Sequence, residues 1–523
     1  MNYLDWLVVG FYVVMLITIS YYLSKGQETT DDYYLGGRTF RWWQVGLSTM
    51  ATQLGAVSFI SAPAFAGLRE GGGLQWLTYE FAVPLAMLFL MLVIFPPLYK
   101  SGIVSIYEYL ERRFGTSTRL ILSIVFQFSR AFAAGITVYA VALILSAVFG
   151  IPLWINIIIT GIIALIYDYL GGMKAVVISD VIQMAILFVG ILVCGWYALD
   201  LVGGWQVFAS EVSADRLNVV DFSNFGVGDD NEFGFWPMVI GGFFLYTSYY
   251  GCDQSQAQRM LSAQDIGQVR KALLFNGMAR FPLVVLYCLM GLVIGTLAFS
   301  TPSFLEMIPS DRPDYMVPVF IAQYLPHGII GLLLVAIFSA AMSSLDSALN
   351  SLSAATVEDL IIRGKKETIS NEKQMKYSKI TTIFWGVVCV LLAFAAGNIA
   401  DTVIEAINKI GSLFYGPVIA TFMLAILTSR TRKTGINIGI LAGVLCNFLL
   451  WIFASDQVFW FWWNFTGFAV TASVGYGFSI LFSEETADKI VQVEKVTFRL
   501  QESVILTAYF ILIILFSLSL MAL

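Results

Sequence analysis

Residues 339–353 carry the densest set of cation-binding side chains in an otherwise apolar run, reading Ser-Ala-Ala-Met-Ser-Ser-Leu-Asp-Ser-Ala-Leu-Asn-Ser-Leu-Ser. Ser343, Ser347 and Asn350 recur at i, i+4 and i+7, which places them on one helix face with the Asp346 carboxylate beside them. A hard cation such as sodium takes oxygen ligands, and hydroxyls beside a carboxylate supply them. Hydrogen bonding between packed helices is the other explanation for small polar residues here. The spacing favours an ion site.

Ionisable side chains inside apolar runs are few, and each is a candidate functional residue because a charge in hydrocarbon costs about 2.5–3.5 kcal/mol. They are Glu80, Arg130, Asp180, Arg280, Asp346, Glu405 and Lys409, with Asp253 near the end of a run. Glu405 and Lys409 are four apart on one predicted helix, so we expect them to pair with each other. Asp180 could complete the ion site of residues 339–353.

Two apolar runs are interrupted by residues that weaken a membrane helix. Residues 47–58 combine hydroxyls with Gln53 and Gly55, and a later run ends in Tyr-Tyr-Gly-Cys-Asp-Gln at 249–254. Backbone carbonyls that are freed where a membrane helix unwinds can ligate a cation, as in transporters with discontinuous helices. The two interruptions, about 190 residues apart, fit a chain of two repeated halves.

These polar residues must be positioned by membrane helices. The chain has 523 residues, of which 58% are hydrophobic and 12% charged. A soluble domain carries about 25% charged residues, so a soluble globular protein is excluded. Short alternating segments typical of a membrane β-barrel do not dominate. The net charge of −6 gives no indication of a nucleic-acid partner.

The apolar runs predict about fourteen transmembrane helices in an all-α membrane protein. They lie near 4–24, 44–68, 75–98, 120–148, 152–170, 176–199, 235–255, 273–299, 328–356, 380–397, 402–427, 435–454, 459–482 and 502–522. Lys and Arg favour cytoplasmic loops. With the N-terminus outside, 23 of the 29 basic residues fall in such loops, among them Arg259 after the seventh span. We therefore expect a cell-membrane protein with both termini extracytoplasmic.

The cysteines and the single histidine add no metal chemistry to this picture. Cys194, Cys252, Cys288, Cys389 and Cys446 lie in or at the end of apolar runs, without a CxxC pair or a neighbouring histidine. They are expected to be small buried hydrophobic residues rather than zinc ligands or disulfides. His327, in Leu-Pro-His-Gly, is expected at the surface.

Five ordered motifs resemble the solute:sodium symporter family, which includes sodium/glucose, bacterial galactose and sialic acid, monocarboxylate and vitamin symporters. The motifs are Asp32-Tyr-Tyr-Leu-Gly-Gly-Arg38 with Trp42-Trp43; Tyr107-Glu-Tyr-Leu-Glu-Arg-Arg-Phe-Gly115; Gly171-Gly172 before Asp180-Val-Ile-Gln183; Asp253-Gln254 before Gln258-Arg259; and Met342-Ser-Ser-Leu-Asp-Ser-Ala-Leu-Asn-Ser351. The resemblance implies a leucine-transporter-like core of two inverted five-helix repeats. The first repeat would span 44–199 and the second 235–427, with an extra helix in 1–24 and C-terminal helices in 435–523.

The resemblance also implies where sodium binds. The family's principal sodium site carries over to Ala51 and Leu54 in the first core helix and to Ala340, Ser343 and Ser344 in the eighth. Some members have a second sodium site, whose positions here are Asp180, Ser343, Asp346 and Ser347. One or two sodium ions are therefore the expected coupling ions.

The solute positions implied by the resemblance are Gln53, Ser58, Glu80, Arg130, Tyr249 and Arg280. Glu80 matches a sugar-contacting glutamate of galactose symporters, and Tyr249 falls at their inner-gate tyrosine. Gln53 and Ser58 replace an asparagine and a glutamine of those proteins. Arg280 is close to an expected lysine, and Arg130 lies about one helical turn from a carboxylate-binding arginine of sialic acid symporters.

The sequence thus predicts sodium-coupled symport of a small polar organic solute: a sugar, sugar acid, polyol or monocarboxylate. The alternatives are a sodium-independent exchanger or facilitator on the same fold, and less readily a membrane sensor. An enzyme is not expected, because no nucleophile with a base or metal cluster is apparent. The expected partners are the solute and the lipid bilayer, without nucleic acid, and the expected oligomeric state is a monomer.

Overall fold

A computed structural model of the protein describes residues 2–23, 30–228, 233–362, 370–399, 401–481 and 500–521. Within these ranges the regular structure is helical, apart from isolated bridges joining Phe40 to Ala263 and Val227 to Val458. The predicted all-α class is therefore confirmed for the described part of the chain.

The helices of the first part of the chain lie between Tyr3 and Leu217. They are α1 (Tyr3–Leu23), α2 (Thr30–Leu35), α3 (Trp42–Gln53), α4 (Ala56–Gly67), α5 (Leu77–Glu80), α6 (Ala82–Phe89), α7 (Phe95–Lys100), α8 (Ile106–Phe114), α9 (Thr116–Phe149), α10 (Leu153–Val202), α11 (Trp205–Glu211) and α12 (Ala214–Leu217). A π-helical turn joins α6 to α7, so that Leu74–Lys100 forms one long apolar segment.

The second part of the chain continues in the same manner. Its helices are α13 (Gly242–Cys252), α14 (Gln254–Leu261), α15 (Ile266–Ser300), α16 (Pro302–Leu305), α17 (Met316–Tyr324), α18 (Ile329–Ala355), α19 (Asn371–Ala393), α20 (Val403–Leu427), α21 (Lys433–Ala454), α22 (Trp462–Leu481) and α23 (Leu500–Leu520). The polar face of residues 339–353 lies within α18.

Both predicted helix interruptions are present. Helices α3 and α4 are separated at Leu54 and Gly55 and meet at an angle of 55°. Helices α13 and α14 are separated at Asp253, whose backbone is extended and whose side chain accepts a hydrogen bond from the backbone N–H of Ser255. A side-chain cap of this kind stabilises the start of the second helix and fixes the break.

The count of fourteen spans is not confirmed. Among the described residues, eight helices are long and apolar enough to cross a membrane, or up to nine if α3 and α4 form one bent span. Two further apolar helical stretches, Leu153–Leu165 and Ile329–Phe338, are shorter. Helices α3 and α14 have only 12 and 8 residues, because the two breaks divide the spans to which they belong.

Glycine allows the broken helix to pack backbone to backbone. A Cβ atom at Gly67 would clash with the carbonyl oxygen of Gly291, and one at Gly295 would clash with that of Gly67. Helices α4 and α15 can therefore approach closely, as small residues permit in membranes. This contact packs α4, on the C-terminal side of the interruption, directly against α15.

The burial expected for the cysteines holds for all except Cys446, and the surface position expected for His327 holds in part. All the cysteines are free, and all except the partly buried Cys446 are buried. The His327 side chain is 53% exposed, but its Nδ1 lies 3.1 Å from Oδ2 of the buried Asp5. Asp5 also accepts hydrogen bonds from the backbone of Gly328 and Gly331 and so attaches α1 to the start of α18.

Candidate functional site

A cavity lies where the break between α3 and α4 faces helices α5, α9, α13, α15, α18 and α20. The cavity volume is about 80 Å³. Since one water occupies about 10–15 Å³ of a volume defined in this way, the cavity has room for several waters or one small solute. All six predicted solute residues line it, namely Gln53, Ser58, Glu80, Arg130, Tyr249 and Arg280. Its remaining lining is mainly aromatic and aliphatic.

Glu80 and Arg280 form a two-point ion pair in this cavity. Arg280 Nε lies 2.6 Å from Glu80 Oε2, and Nη2 lies 3.0 Å from Oε1. Tyr246 donates a hydrogen bond to Glu80 and accepts one from Arg280, each 2.8 Å long, while Arg280 also donates to Tyr250 at 3.1 Å. Paired carboxylate and guanidinium groups of this geometry satisfy each other's charge. Because each is the other's partner, the charge of Arg280 is balanced within the protein.

Arg130 is held more loosely. Its Nη2 atom lies 3.4 Å from Oδ1 of Asp253 and 3.5 Å from the hydroxyl of Tyr249, and it also contacts the Ser255 hydroxyl. The side chain is buried, and its Nε has no hydrogen-bond partner among the described residues. A buried donor of this kind is costly to leave without an acceptor. An anion in the cavity could supply one.

The other predicted solute residues line the same cavity. Tyr249 accepts a hydrogen bond of 3.0 Å from Gln256, and its ring centroid lies 5.3 Å from the Arg130 guanidinium carbon. Ser58 donates a long hydrogen bond to the backbone carbonyl of Gln53. The Oε1 atom of Gln53 is buried and, within the described part of the chain, accepts no hydrogen bond.

The first predicted sodium site lies where α18 meets the break. Ser344 donates a hydrogen bond of 3.1 Å to the backbone carbonyl of Thr52, next to Ala51. The carbonyl of Leu54 accepts from Tyr287 at 3.3 Å. Ala51 and Leu54 are buried. Ala340 and Ser343 are helical within α18, but their side chains lie outside the described part of the structure.

The second predicted sodium site contains an arginine. Asp180 and Ser347 are both within reach of Nη2 of Arg259, which lies 3.1 Å from Asp180 Oδ2 and contacts the Ser347 hydroxyl. Asp346 is completely buried on the same helix, and the described contacts of Arg259 do not include it. The Ser343 side chain again lies outside the described part.

Arg259 is a buried residue and not the loop residue that the sequence predicts. It lies in α14 and has no exposed surface. The apolar run ends at the break in the helix, so the polar helix that follows resembles a loop in composition. The signal was the motif Gln254-Ser-Gln-Ala-Gln-Arg259, whose polar residues directly follow an interrupted span.

The expected pairing of Glu405 with Lys409 also differs from the structure. Glu405 instead faces Arg69, with Nη2–Oε1 and Nε–Oε2 distances of 2.9 and 3.1 Å. Arg69 follows α4 and Glu405 begins α20, so this pair joins the ends of two helices. A guanidinium fits a carboxylate at two points, which an ammonium group on the same helix cannot do.

Comparison with known proteins places the chain among sodium-coupled transporters. A model of the sodium:solute symporter family matches residues 33–443. The sodium-coupled monocarboxylate transporter 1 of Xenopus laevis is 30% identical over 464 residues, covering 87% of this chain and 72% of that protein. The human sodium/iodide cotransporter is 31% identical over 433 residues, covering 82% of this chain and 65% of that protein.

A solved structure is similar over nearly the whole chain. It is a Na⁺-coupled sialic acid symporter in a substrate-bound, outward-open state. It matches with a TM-score of 0.83 at 26% sequence identity, covering 92% of this chain and 98% of that one.

Proposed function

This chain belongs to the sodium:solute symporter family, and on that premise we propose that the solute it carries with sodium is a small organic anion, most simply a monocarboxylate. The family membership confirms the resemblance of the five motifs, the leucine-transporter-like fold and sodium as the coupling ion. The protein is a multi-pass membrane transporter and not an enzyme. The charge of the solute is the part that we propose.

The proposal that the solute is an anion rests on the different charge balance of the two arginines in the cavity. The charge of Arg280 is balanced by Glu80 at two points, whereas Arg130 meets one carboxylate at 3.4 Å and retains a buried donor. A solute carboxylate would complete the hydrogen bonding of Arg130, and charge-assisted bonds of this type are the stronger ones. The named relatives carry monocarboxylates, iodide and sialic acid, which are anions at neutral pH.

Sodium is proposed to bind at Ala51, Leu54, Ala340, Ser343 and Ser344. The proposal is supported by the freed backbone at the break and by the contact between Ser344 and the carbonyl of Thr52. A sodium ion there would tie α18 to the broken helix beside the cavity. The inward sodium gradient can drive accumulation of an anion, and the membrane potential adds about 2.3 kcal/mol per 100 mV only for each sodium ion beyond the one that balances the charge of the solute.

The orientation is proposed from the distribution of basic residues, with both termini outside. Moving Arg259 from a loop into the protein interior leaves the bias of the remaining basic residues in place, since the other groups of Lys and Arg lie in the same loops. On this orientation α3 and α14 are the cytoplasmic halves of the broken helices, and Arg69 lies at the outer end of α4.

Uptake into proteoliposomes tests the proposed function. We expect radiolabelled pyruvate or propionate to accumulate under an inward sodium gradient and not under choline, while galactose does not accumulate. Accumulation of galactose instead of the acids would contradict the anionic solute. Equal uptake or counterflow of the acids in choline would indicate a sodium-independent exchanger.

A further inference from the structure

Four basic residues lie where α20 ends and α21 begins, and we call them the inner basic cluster. They are Arg113 near the end of α8, Arg430 and Arg432 in the connection from α20 to α21, and Lys433 at the first position of α21. Arg430 and Lys433 are exposed, whereas Arg113 and Arg432 are partly buried. On the proposed orientation the cluster lies at the cytoplasmic surface of the membrane.

Contacts between the two connections bring the four residues together. Nη2 of Arg113 donates a hydrogen bond of 2.9 Å to the carbonyl of Thr428, two residues before Arg430. The Lys433 side chain lies against Gly115, because a Cβ atom on that glycine would be 3.8 Å from the Cδ of Lys433. The start of α21 therefore lies beside the turn that joins α8 to α9.

The surroundings of Arg113 are short of negative charge. Burial lowers the pKa of Arg113, Tyr109 raises it, and the positive charge of Arg432 lowers it again. A neighbouring like charge disfavours the charged form of a group. The two arginines are therefore close enough to repel each other, and an anion between them would remove this repulsion.

The carboxylates of this region face other arginines. Glu108 pairs with Arg112, and Glu111 pairs with Arg119, which also binds Asp359. The remaining acidic residue beside Arg119 is the partly buried Glu358, whose pKa burial raises to about 7. These four acidic residues stand against two arginines and the four residues of the inner basic cluster, which leaves an excess of two positive charges.

The helices around the cluster supply no further acid at this end. Helices α21 and α22 contain no acidic residue, and the one in α20 lies at its opposite end. For none of the four cluster residues is an ion pair found within the described ranges of the chain. The start of α21 also lacks a side-chain cap and an acidic first turn, so its N–H groups and dipole add to the attraction for an anion.

An exposed apolar face runs along α21 from this end of the helix. Leu441, Leu445, Leu449 and Ile452 follow one another at helical spacing, and their exposed fractions lie between 46% and 66%. In a membrane protein such a face lies against lipid. A positively charged helix end with a lipid-facing apolar stripe matches a molecule with an anionic head and apolar chains.

We propose that the inner basic cluster binds the phosphate of an anionic phospholipid, whose acyl chains lie along the exposed face of α21. Lys and Arg at the cytoplasmic surface attract anionic headgroups, and a guanidinium fits a phosphate at two points. The phosphate would balance the charges of Arg113 and Arg432 and would fasten the turn between α8 and α9 to α21. The inference goes beyond the proposed function, because it involves neither the solute nor sodium.

Thermal unfolding of the purified, full-length protein in detergent with added lipid tests the inference. Phosphatidylglycerol should raise the melting temperature by about 2 °C or more above the value in phosphatidylcholine with the same acyl chains. Arg430→Gln with Lys433→Gln changes two exposed side chains and should lose most of this difference. Lys373→Gln with Lys376→Gln, which removes two exposed cations near the start of α19, is the matched control and should keep it.

Glycerol phosphate, which has the anionic group without acyl chains, distinguishes a lipid from a free anion. It should give no shift at the concentration at which the lipid acts. An equal shift with glycerol phosphate would indicate a free-anion site and would overturn the lipid. Equal melting temperatures of the wild type in the two lipids would also overturn the inference, and so would equal responses of the two double variants. None of these outcomes bears on sodium-coupled uptake of the solute.

Discussion

Two arginines line the same cavity and are held in different ways. Arg280 has two contacts with Glu80, at 2.6 and 3.0 Å, and two tyrosine hydroxyl partners. Arg130 has one contact with Asp253 at 3.4 Å, contacts with the hydroxyls of Tyr249 and Ser255 through the same nitrogen, and a buried Nε without a hydrogen-bond partner among the described residues. Burial of an arginine in a cavity is therefore not by itself evidence that it binds the solute. Its carboxylate partner decides whether its charge is already balanced.

The two arginines also differ in their surroundings. The Glu80–Arg280 pair joins α5 to α15 and is enclosed by tyrosines, with the rings of Tyr79 and Tyr246 stacked at 4.3 Å. We expect it to act as a fixed part of the cavity wall. Arg130 lies beside the break between α13 and α14 and also lines the cavity. We therefore expect stability to depend on the pair and affinity to depend on Arg130.

The largest effect is expected when the balanced pair is broken. Glu80→Gln leaves Arg280 buried without a counter-charge, and removing one partner of a buried pair costs about 3–5 kcal/mol. We expect a large loss of folded protein and a lower melting temperature in detergent. Glu80→Gln with Arg280→Met removes both charges and should recover most of the stability. Equal stability of Glu80→Gln and the wild type would show that the pair is not a structural wall.

The next test concerns Asp314, a buried carboxyl group for which no ion pair with an arginine is described. Asp314 lies outside the membrane-spanning helices and is buried, with the backbone N–H of Val403 donating to it at 2.8 Å. Burial raises the pKa of Asp314 to about 7. The folded protein then holds a proton that the unfolded chain loses near its ordinary pKa of 3.8. The stability should therefore fall as the pH rises from about 4 to 7, by up to about 1.4 kcal/mol per pH unit.

Asp314→Asn removes this contribution while keeping an acceptor for Val403. Thermal unfolding measured from pH 4.5 to 7.5 should show a shallower decline than in the wild type. A decline should remain, because burial and the neighbouring Asp359 also raise the pKa of Glu358 to about 7. Identical pH profiles for the variant and the wild type would show that the raised pKa of Asp314 does not contribute to the fall in stability.

A smaller effect is expected when Arg130 is released from its carboxylate. Asp253→Asn retains an acceptor that can cap α14 but removes the charge that competes with a solute anion. We expect the monocarboxylate to bind up to about tenfold more tightly, or about 1.4 kcal/mol, in titrations with saturating sodium. Asp456→Asn, at an exposed position, is the control. Unchanged or weaker binding by Asp253→Asn would mean that Arg130 is not available to the solute.

The sequence predicted the candidates better than their partners. Gly55 and the hydroxyls around it indicated the break in the first core helix, and the charges in apolar runs identified Glu80 and Arg280 separately. It could not show that these two residues pair, because they are 200 apart in the chain and no local pattern links them. Arg259 was missed for a related reason, since a buried polar helix after a break has the composition of a loop.

We propose that Arg130, and not Arg280, is the positively charged group that binds the solute. The most direct measurement compares the binding of the transported monocarboxylate with that of its neutral amide, by calorimetry in saturating sodium, for the wild type and Arg130→Gln. A charge-assisted hydrogen bond contributes about 1.5–3 kcal/mol, so the wild type should prefer the acid by about tenfold or more. In Arg130→Gln this preference should nearly vanish while the protein stays folded. A preference for the acid that survives in Arg130→Gln would contradict the account.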